Sequence, residues 1–243
     1  YYPEQINDKN PLVISIFGGG WISGFKTDKF IPPMIQPINE GFIVAVPDYT
    51  LSLDAPFPQS VIDIKKCIAF LRSHSDLYKI DTNNITLWGE SAGAHLALEA
   101  GLVENSHFDL ALDTRVKNII AMYAPSNLLT INTQAEKLGI LDTARSDKDT
   151  VFGIYMGKNY DDERQMNLAS PIKQINDHMP NIILEHGTKD ALVPYLQSVE
   201  FFNKAKEKYP DSHVTLSIYD GLQHTDPFFF TKEHVHYLMN MLK

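Results

Sequence analysis

The sequence predicts an α/β protein with a mainly parallel central sheet and helices on both faces. Short β-rich apolar runs alternate with segments of helical periodicity along most of the chain, the pattern of βαβ units. The chain is 243 residues long, enough for one large domain with a core buried on both sides of a sheet. Three such runs end in Gly-containing turns, at Gly18, Gly89 and Gly187, as strands feeding tight loops do.

Leu12 to Phe17 is the first strand and runs into Gly18-Gly19-Gly20. Gly41 to Val46 is the second, closed by Pro47 and Asp48, and Ile31 to Asn39 between them is a helix restricted by Pro32, Pro33 and Pro37. Ser60 to Ser73 carries Val61, Ile64, Ile68 and Leu71 at helical spacing, with Ser60 available as its cap. Ile85 to Trp88 is a third buried run, followed by the alanine-rich helix Ala92 to Leu102. Val116 to Tyr123, Asn181 to Glu185 and Val214 to Tyr219 complete the strands. Leu196 to Lys208 and Glu233 to Leu242 complete the helices. Ser126 to Gln174 breaks this rhythm: it is polar, has no clear strand and contains a loop-like tract from Thr143 to Thr150. It is expected to be a small insertion over one end of the sheet within a single domain spanning residues 1–243.

Composition excludes several classes. With 44% hydrophobic and 21% charged residues the chain is neither disordered nor fibrous. Its longest apolar stretches, Gly41 to Pro47 and Ile119 to Ala124, fall far short of the roughly 20 residues of a membrane-spanning helix. A formal net charge of −9 repels nucleic-acid backbones and anionic lipid surfaces. The single cysteine, Cys67, has no partner for an internal disulfide and reads as a half-buried small apolar residue. The chain opens on Tyr1-Tyr2-Pro3 rather than Met, which leaves a removed leader open, and the cytoplasm is the expected location.

The chemistry concentrates at Ile85-Thr86-Leu87-Trp88-Gly89-Glu90-Ser91-Ala92-Gly93, a strand, a G-x-S-x-G turn and a helix in immediate succession. Such a turn holds its serine in a strained conformation, and flanking backbones come so close that side chains at positions 89 and 93 would clash. Ser91 is therefore the candidate nucleophile. The N-terminus of the helix starting at Ala92 favours negative charge developing above it. An attacked carbonyl becomes an oxyanion, which needs fixed N–H donors. Gly18, Gly19 and Gly20 bring bare backbone to that position, and the Ala92 N–H completes the set.

Among nine histidines, His224 is the candidate base: it follows a strand pattern within Asp220-Gly221-Leu222-Gln223-His224 and precedes the last helix. His186 is its rival, but it ends a strand directly and reads as shaping the loop that follows. His95 reads as a packing residue inside the post-serine helix. His234 and His236 stand two apart, on different helix faces, unlike an i, i+4 metal pair. Asp190 follows a buried strand, where a carboxylate can accept the imidazole Nδ1 hydrogen and stabilise the imidazolium.

These residues resemble the α/β-hydrolase superfamily, especially its hormone-sensitive-lipase-like and acetyl-xylan or feruloyl-esterase-like members. The supporting motifs are Phe17-Gly18-Gly19-Gly20-Trp21, Asp48-Tyr49, Ala55-Pro56-Phe57-Pro58, Gly89-Glu90-Ser91-Ala92-Gly93, Ser170-Pro171, His186-Gly187 through Pro194, and His224. The order Ser91, Asp190, His224 is the one that fold requires. Relatives usually have histidine where this chain has Phe17. The oxyanion donors are backbone groups, so the change is expected to alter how the loop is braced rather than remove the hole.

The resemblance implies a serine carboxylesterase working through an acyl-enzyme, with no metal or organic cofactor and a small-molecule ester as its partner. The short insertion leaves little material for a deep lid, which favours short acyl groups. Acetylated sugars and plant-derived esters follow from the resemblance alone. A peptidase or amidase on the same triad, and a non-catalytic small-ligand binder on the same fold, stay open as alternatives. The resemblance also makes Tyr1-Tyr2-Pro3 the tail of a longer strand, leaving a sheet edge exposed or paired with a second copy as a homodimer.

Overall fold

The computed structural model describes residues 1–28, 31–140 and 150–242, so the predicted tract Thr143 to Thr150 lies outside the described residues except for Thr150. The strands are β1 (Asn10–Ile16), β2 (Ile43–Ala45), β3 (Ile80–Glu90), β4 (Asn118–Met122), β5 (Asn181–Gly187) and β6 (Val214–Tyr219). They form one sheet in the order β2-β1-β3-β4-β5-β6, and every neighbouring pair is parallel. The helices are α1 (Ile31–Met34), α2 (Gln59–Ser73), α3 (Ser75–Tyr78), α4 (Ala92–Leu102), α5 (Ile131–Leu138), α6 (Val151–Met156), α7 (Glu163–Leu168), α8 (Leu196–Lys208) and α9 (Lys232–Met241).

The two-residue alternation of strands divides the apolar runs between two cores. Leu12, Ile14 and Ile16 of β1 belong with Ile64 and Ile68 of α2, Leu96 of α4 and Phe201 of α8. Val13, Trp88, Ile120 and Ile183 face the other way, in one core with Val235, Leu238 and Met239 of α9. Both faces are thereby covered, which is why these strands read as apolar runs rather than half-polar ones.

Helix α4 packs tightly on the sheet. Nearly all of its side chains are buried, and a Cβ at Gly101 would stand 2.5 Å from Ile119 Cδ1. Its last turn is satisfied from α2: Lys65, 1% exposed, donates from Nζ to Ala100 O at 2.9 Å and Val103 O at 2.7 Å. Burial pulls the Lys65 amine down to about 8, against the opposing pull of Glu99.

Several predicted boundaries shift for local reasons. The predicted helix Ile31 to Asn39 is split into α1 and a 3-10 turn over Gln36–Glu40, with Pro37 at the start of the second piece. Helix α2 begins at Gln59, so Ser60 is a buried residue of its first turn and not its cap. β3 extends back to Ile80 because β1 carries partners that far, pairing Asn10 with Ile80. Residues 126–174 form α5, α6, α7 and 3-10 turns, with no strand among the described residues. At the edge of the sheet, Tyr1 exchanges both backbone groups with Val44, at 2.8 and 3.0 Å, as an antiparallel hydrogen-bonded pair does.

Consecutive strands lie on opposite sides of β1: β2 flanks one edge and β3 the other. Strand order reverses there, and in open α/β sheets the crevice at the carboxyl ends of such strands is where ligands bind. Gly18-Gly19-Gly20 leaves β1 at this point and Ser91 leaves β3 beside it.

Candidate active site

Ser91 occupies the single residue between β3 and α4, at φ 52° and ψ −123°. A non-glycine side chain there costs of order 1–3 kcal/mol and persists only where its surroundings enforce it. The enforcement is backbone contact on both sides. A Cβ at Gly89 would lie 2.2 Å from Gly93 O, and one at Gly93 would lie 2.1 Å from Ile16 O. The serine is also tied to the next strand, its N–H donating to Met122 O at 3.0 Å.

Three predicted residues meet through hydrogen bonds. Ser91 Oγ lies 2.9 Å from His224 Nε2, and His224 Nδ1 lies 2.7 Å from Asp190 Oδ2. His224 comes from the loop after β6, and Asp190 from the loop after β5. Asp190 is buried, and its other oxygen, Oδ1, accepts the N–H groups of Leu192 and Val193, each at 2.8 Å. Burial pushes this carboxyl up, but hydrogen bonds and charge from His186 and His224 outweigh it and hold the group well below the usual carboxylate range. An ionised Asp190 can only accept, so the His224 proton sits on Nδ1 and the Nε2 lone pair faces the serine hydroxyl.

His186 is fully buried, its Nε2 lying 3.2 Å from Asp190 Oδ2 and 3.0 Å from Val193 O. Both neighbours are acceptors, so Nε2 carries the hydrogen and Nδ1 accepts from the Ser198 hydroxyl at 2.8 Å. With both nitrogens engaged and no path to Ser91, His186 shapes the Asp190 loop.

The glycine loop divides its labour. Gly18 N–H, one of the predicted donors, is bonded to Glu90 Oε1 at 3.1 Å. The N–H groups of Gly19 and Gly20 are paired with no acceptor among the described residues, nor is that of Ala92, which as the first residue of α4 has no intrahelical partner. The Tyr49 hydroxyl stands 3.0 Å from both Phe17 O and Gly18 O, and the Tyr49 ring stacks on Phe17 with centroids 4.5 Å apart. The loop is thus braced through Tyr49, with Phe17 serving as the stacking partner. On its far side, a Cβ at Gly20 would lie 3.3 Å from Val151 Cγ1, and Trp21 stacks on Tyr155 at 4.5 Å, so α6 borders the site.

Two residues of the site carry no assignment from the sequence. Glu90 accepts the Tyr123 hydroxyl on Oε2 at 3.0 Å, and the Tyr123 ring meets the His224 ring edge-on, with centroids 4.7 Å apart. Tyr123 is fully buried at φ 43°. The signals were an acid directly before the nucleophile and a tyrosine ending a strand run, but neither says which partner it meets.

The remaining histidines are held elsewhere. His95 Nε2 donates to Ala169 O at 2.9 Å, and burial pulls the ring down to about 4 despite that bond, so it is a neutral packing residue. His234 pairs with Glu185 and His236 with Glu40, on different faces of α9. Cys67 is half-buried, its thiol pushed up to about 11 by burial. Among the described residues no three His, Cys, Asp or Glu side chains gather as metal ligands would, and no helix is long and apolar enough to cross a membrane.

Residues 1–205 match the sequence pattern of the BD-FAE family. Esterase LipQ of Mycobacterium tuberculosis is 30% identical over 196 residues, covering 79% of this chain and 44% of that protein. A probable isoprenylcysteine alpha-carbonyl methylesterase of Oryza sativa subsp. japonica, ICMEL1, is 27% identical over 245 residues, covering 94% of this chain and 54% of the relative. The chain therefore spans about half the length of the curated relatives it matches. A solved structure described as a truncated form of carbohydrate esterase from gut microbiota superposes with a TM-score of 0.85 at 22% identity, over 100% of this chain and 88% of the other. The matched pattern takes in the glycine loop, the serine elbow and Asp190, the fold is shared along the whole length, and the chain belongs to the BD-FAE family, with the α/β-hydrolase fold.

Proposed function

We propose that this chain is a serine carboxylesterase that hydrolyses short-chain acyl esters through an acyl-enzyme. One observation carries the reading: an unbroken hydrogen-bonded path from Ser91 Oγ through His224 to the ionised Asp190. His224 Nε2 takes the serine proton as Oγ bonds to the ester carbonyl carbon, and the carbonyl π pair moves onto oxygen. The N–H groups of Gly19, Gly20 and Ala92 receive that oxyanion, aided by the N-terminus of α4. Collapse expels the alcohol, which takes the proton from His224. Water, deprotonated by the same nitrogen, then releases the acid and restores Ser91.

Asp190 keeps the imidazole in the tautomer this cycle needs and stabilises the imidazolium formed twice in each turnover. The short helices α5 to α7, in place of a large cap, favour small acyl groups within a single catalytic domain. The esterase and methylesterase names of the relatives agree with ester chemistry. The likeness to a carbohydrate esterase makes acetylated sugars the first natural substrates to try.

The test is hydrolysis of p-nitrophenyl acetate and butyrate by the wild type and by Ser91→Ala, with folding of both checked by circular dichroism. Turnover by the wild type and a loss of several orders of magnitude in the folded variant is the expected result. An inactive wild type, or a variant that matches it, overturns the reading.

A further inference from the structure

We propose that Glu90 is a positioning residue that holds the glycine loop in its donor-presenting shape and joins it to the base. The inference rests on the serine-hydrolase reading and adds to it a residue that touches neither substrate nor the reacting atoms. Glu90 precedes Ser91 at the end of β3, and the residue is 9% exposed. Both oxygens are used. Oε1 accepts Gly18 N–H at 3.1 Å, and Oε2 accepts the Tyr123 hydroxyl at 3.0 Å.

The fit is close on the loop side, since a Cβ at Gly18 would lie 3.0 Å from Glu90 Oε1 and 3.1 Å from Ser91 Cβ. A side chain at position 18 would therefore press on the carboxylate that its N–H meets. Tyr49 grips the same peptide segment from its carbonyl side, through Phe17 O and Gly18 O. Gly18 is thus fixed at both ends, and the loop beyond it, at φ 100° for Gly19 and 60° for Gly20, turns with the N–H groups of these two residues meeting no acceptor among the described residues. The N–H groups of Ile22 and Ser23 close a turn onto Gly19 O, and the bonds from Glu90 and Tyr49 to the segment before it fix where that turn stands, as an oxyanion site requires.

The other arm reaches the base. Tyr123 is fully buried, its hydroxyl is on Glu90 and its ring lies against His224. Glu90 therefore sets the relative position of two parts of the site that no shared element connects: the loop after β1 and the histidine after β6.

The experiment compares wild type, Glu90→Leu, Glu90→Gln and Tyr123→Phe. It measures kcat and KM on p-nitrophenyl acetate, and inhibition by an alkyl trifluoromethyl ketone. That ketone adds the Ser91 oxygen at its carbonyl carbon and leaves a hemiketal oxyanion in the donor site. The leucine variant is expected to lose on the order of tenfold to a hundredfold in kcat, with KM changed less than about threefold. Ketone affinity should fall in proportion. Glutamine keeps an acceptor for Gly18 N–H and is expected to recover activity to within about fivefold of wild type, while Tyr123→Phe falls between.

A folded Glu90→Leu with kcat and ketone affinity within twofold of wild type overturns the proposal. So does a glutamine variant as impaired as leucine, or a loss of kcat with undiminished ketone affinity. Should Glu90→Leu not fold, Tyr123→Phe decides: a parallel loss of kcat and ketone affinity supports the linkage, and wild-type values overturn it. A wild type with no ester turnover overturns the functional reading itself, whereas an active wild type with an unaffected leucine variant overturns only the role of Glu90.

Discussion

His186 donates its Nε2 hydrogen to Asp190 Oδ2 at 3.2 Å, the same oxygen that His224 Nδ1–H reaches at 2.7 Å. One carboxylate thus orients two histidines of opposite standing: His186 is sealed in the core, and only His224 opens onto the serine. The difference comes from the strands that carry them. His186 lies in β5 itself, buried like all of that strand after Asn181, and His224 stands on the loop beyond β6.

His186→Phe separates these standings. It removes one donor from Asp190 and leaves the Ser198 hydroxyl without its acceptor, which is expected to cost about 1–3 kcal/mol of stability in urea titrations. Asp190 keeps Leu192, Val193 and His224, so activity should fall only about tenfold. His224→Ala, assayed beside it, should lose several orders of magnitude. Equal losses in the two variants would mean that the base has been assigned to the wrong ring.

Asp190→Asn tests the acid and predicts a pH signature. An amide can donate to His224 Nδ1 and impose the wrong tautomer, so kcat is expected to fall about a thousandfold or more. The carboxyl's folded pKa lies below its unfolded value, so the unfolded chain binds the extra proton across that interval. Its stabilising contribution is therefore fully present above the unfolded pKa, at about 3.9, and is lost as pH falls through the depressed folded value. Thermal melts should show the wild type's advantage over Asp190→Asn steady from about pH 7 to 5 and shrinking below about 4. A gap that widens toward low pH contradicts the ionised assignment.

Glycine substitutions gauge how tightly the elbow is built. A methyl at position 93 would stand 2.1 Å from the carbonyl oxygen of Ile16, a backbone atom that cannot swing aside. Gly93→Ala is expected to cost about 3 kcal/mol or more, or to prevent folding, as seen by calorimetry and soluble yield. Gly41→Ala is the comparison: φ is 88° but nothing lies within 4 Å, so the cost is that of the left-handed backbone alone, about 1–2 kcal/mol. Similar costs at the two positions would contradict the close approach of α4 to β1.

Much of this architecture was legible in one dimension. The strands, α4, α8 and α9 follow from apolar runs and from periodicity, because a buried strand or an amphipathic helix must declare its buried face locally. Ser91, Asp190 and His224 were legible because each closes or follows a strand run in a loop of recognisable chemistry. Where competing local preferences were finely balanced the reading slipped: Pro37 divided one predicted helix, and Ser60 lies within a helix it was expected to cap.

By itself, then, the sequence determined the layered architecture, the elbow and the identity of the three polar groups that meet there, since these rest on covalent neighbours and on short-range periodicity. The tertiary structure alone decided that Gly18 N–H is taken by Glu90, which histidine faces the serine and what holds the glycines in place. Glu90 reaches Gly18 across 72 positions, Tyr123 meets it from the residue after β4, and Tyr49 stands 31 positions from the carbonyl it touches. Hydrogen bonds are short and directional, so their pairing is settled only when the sheet brings distant strand ends side by side.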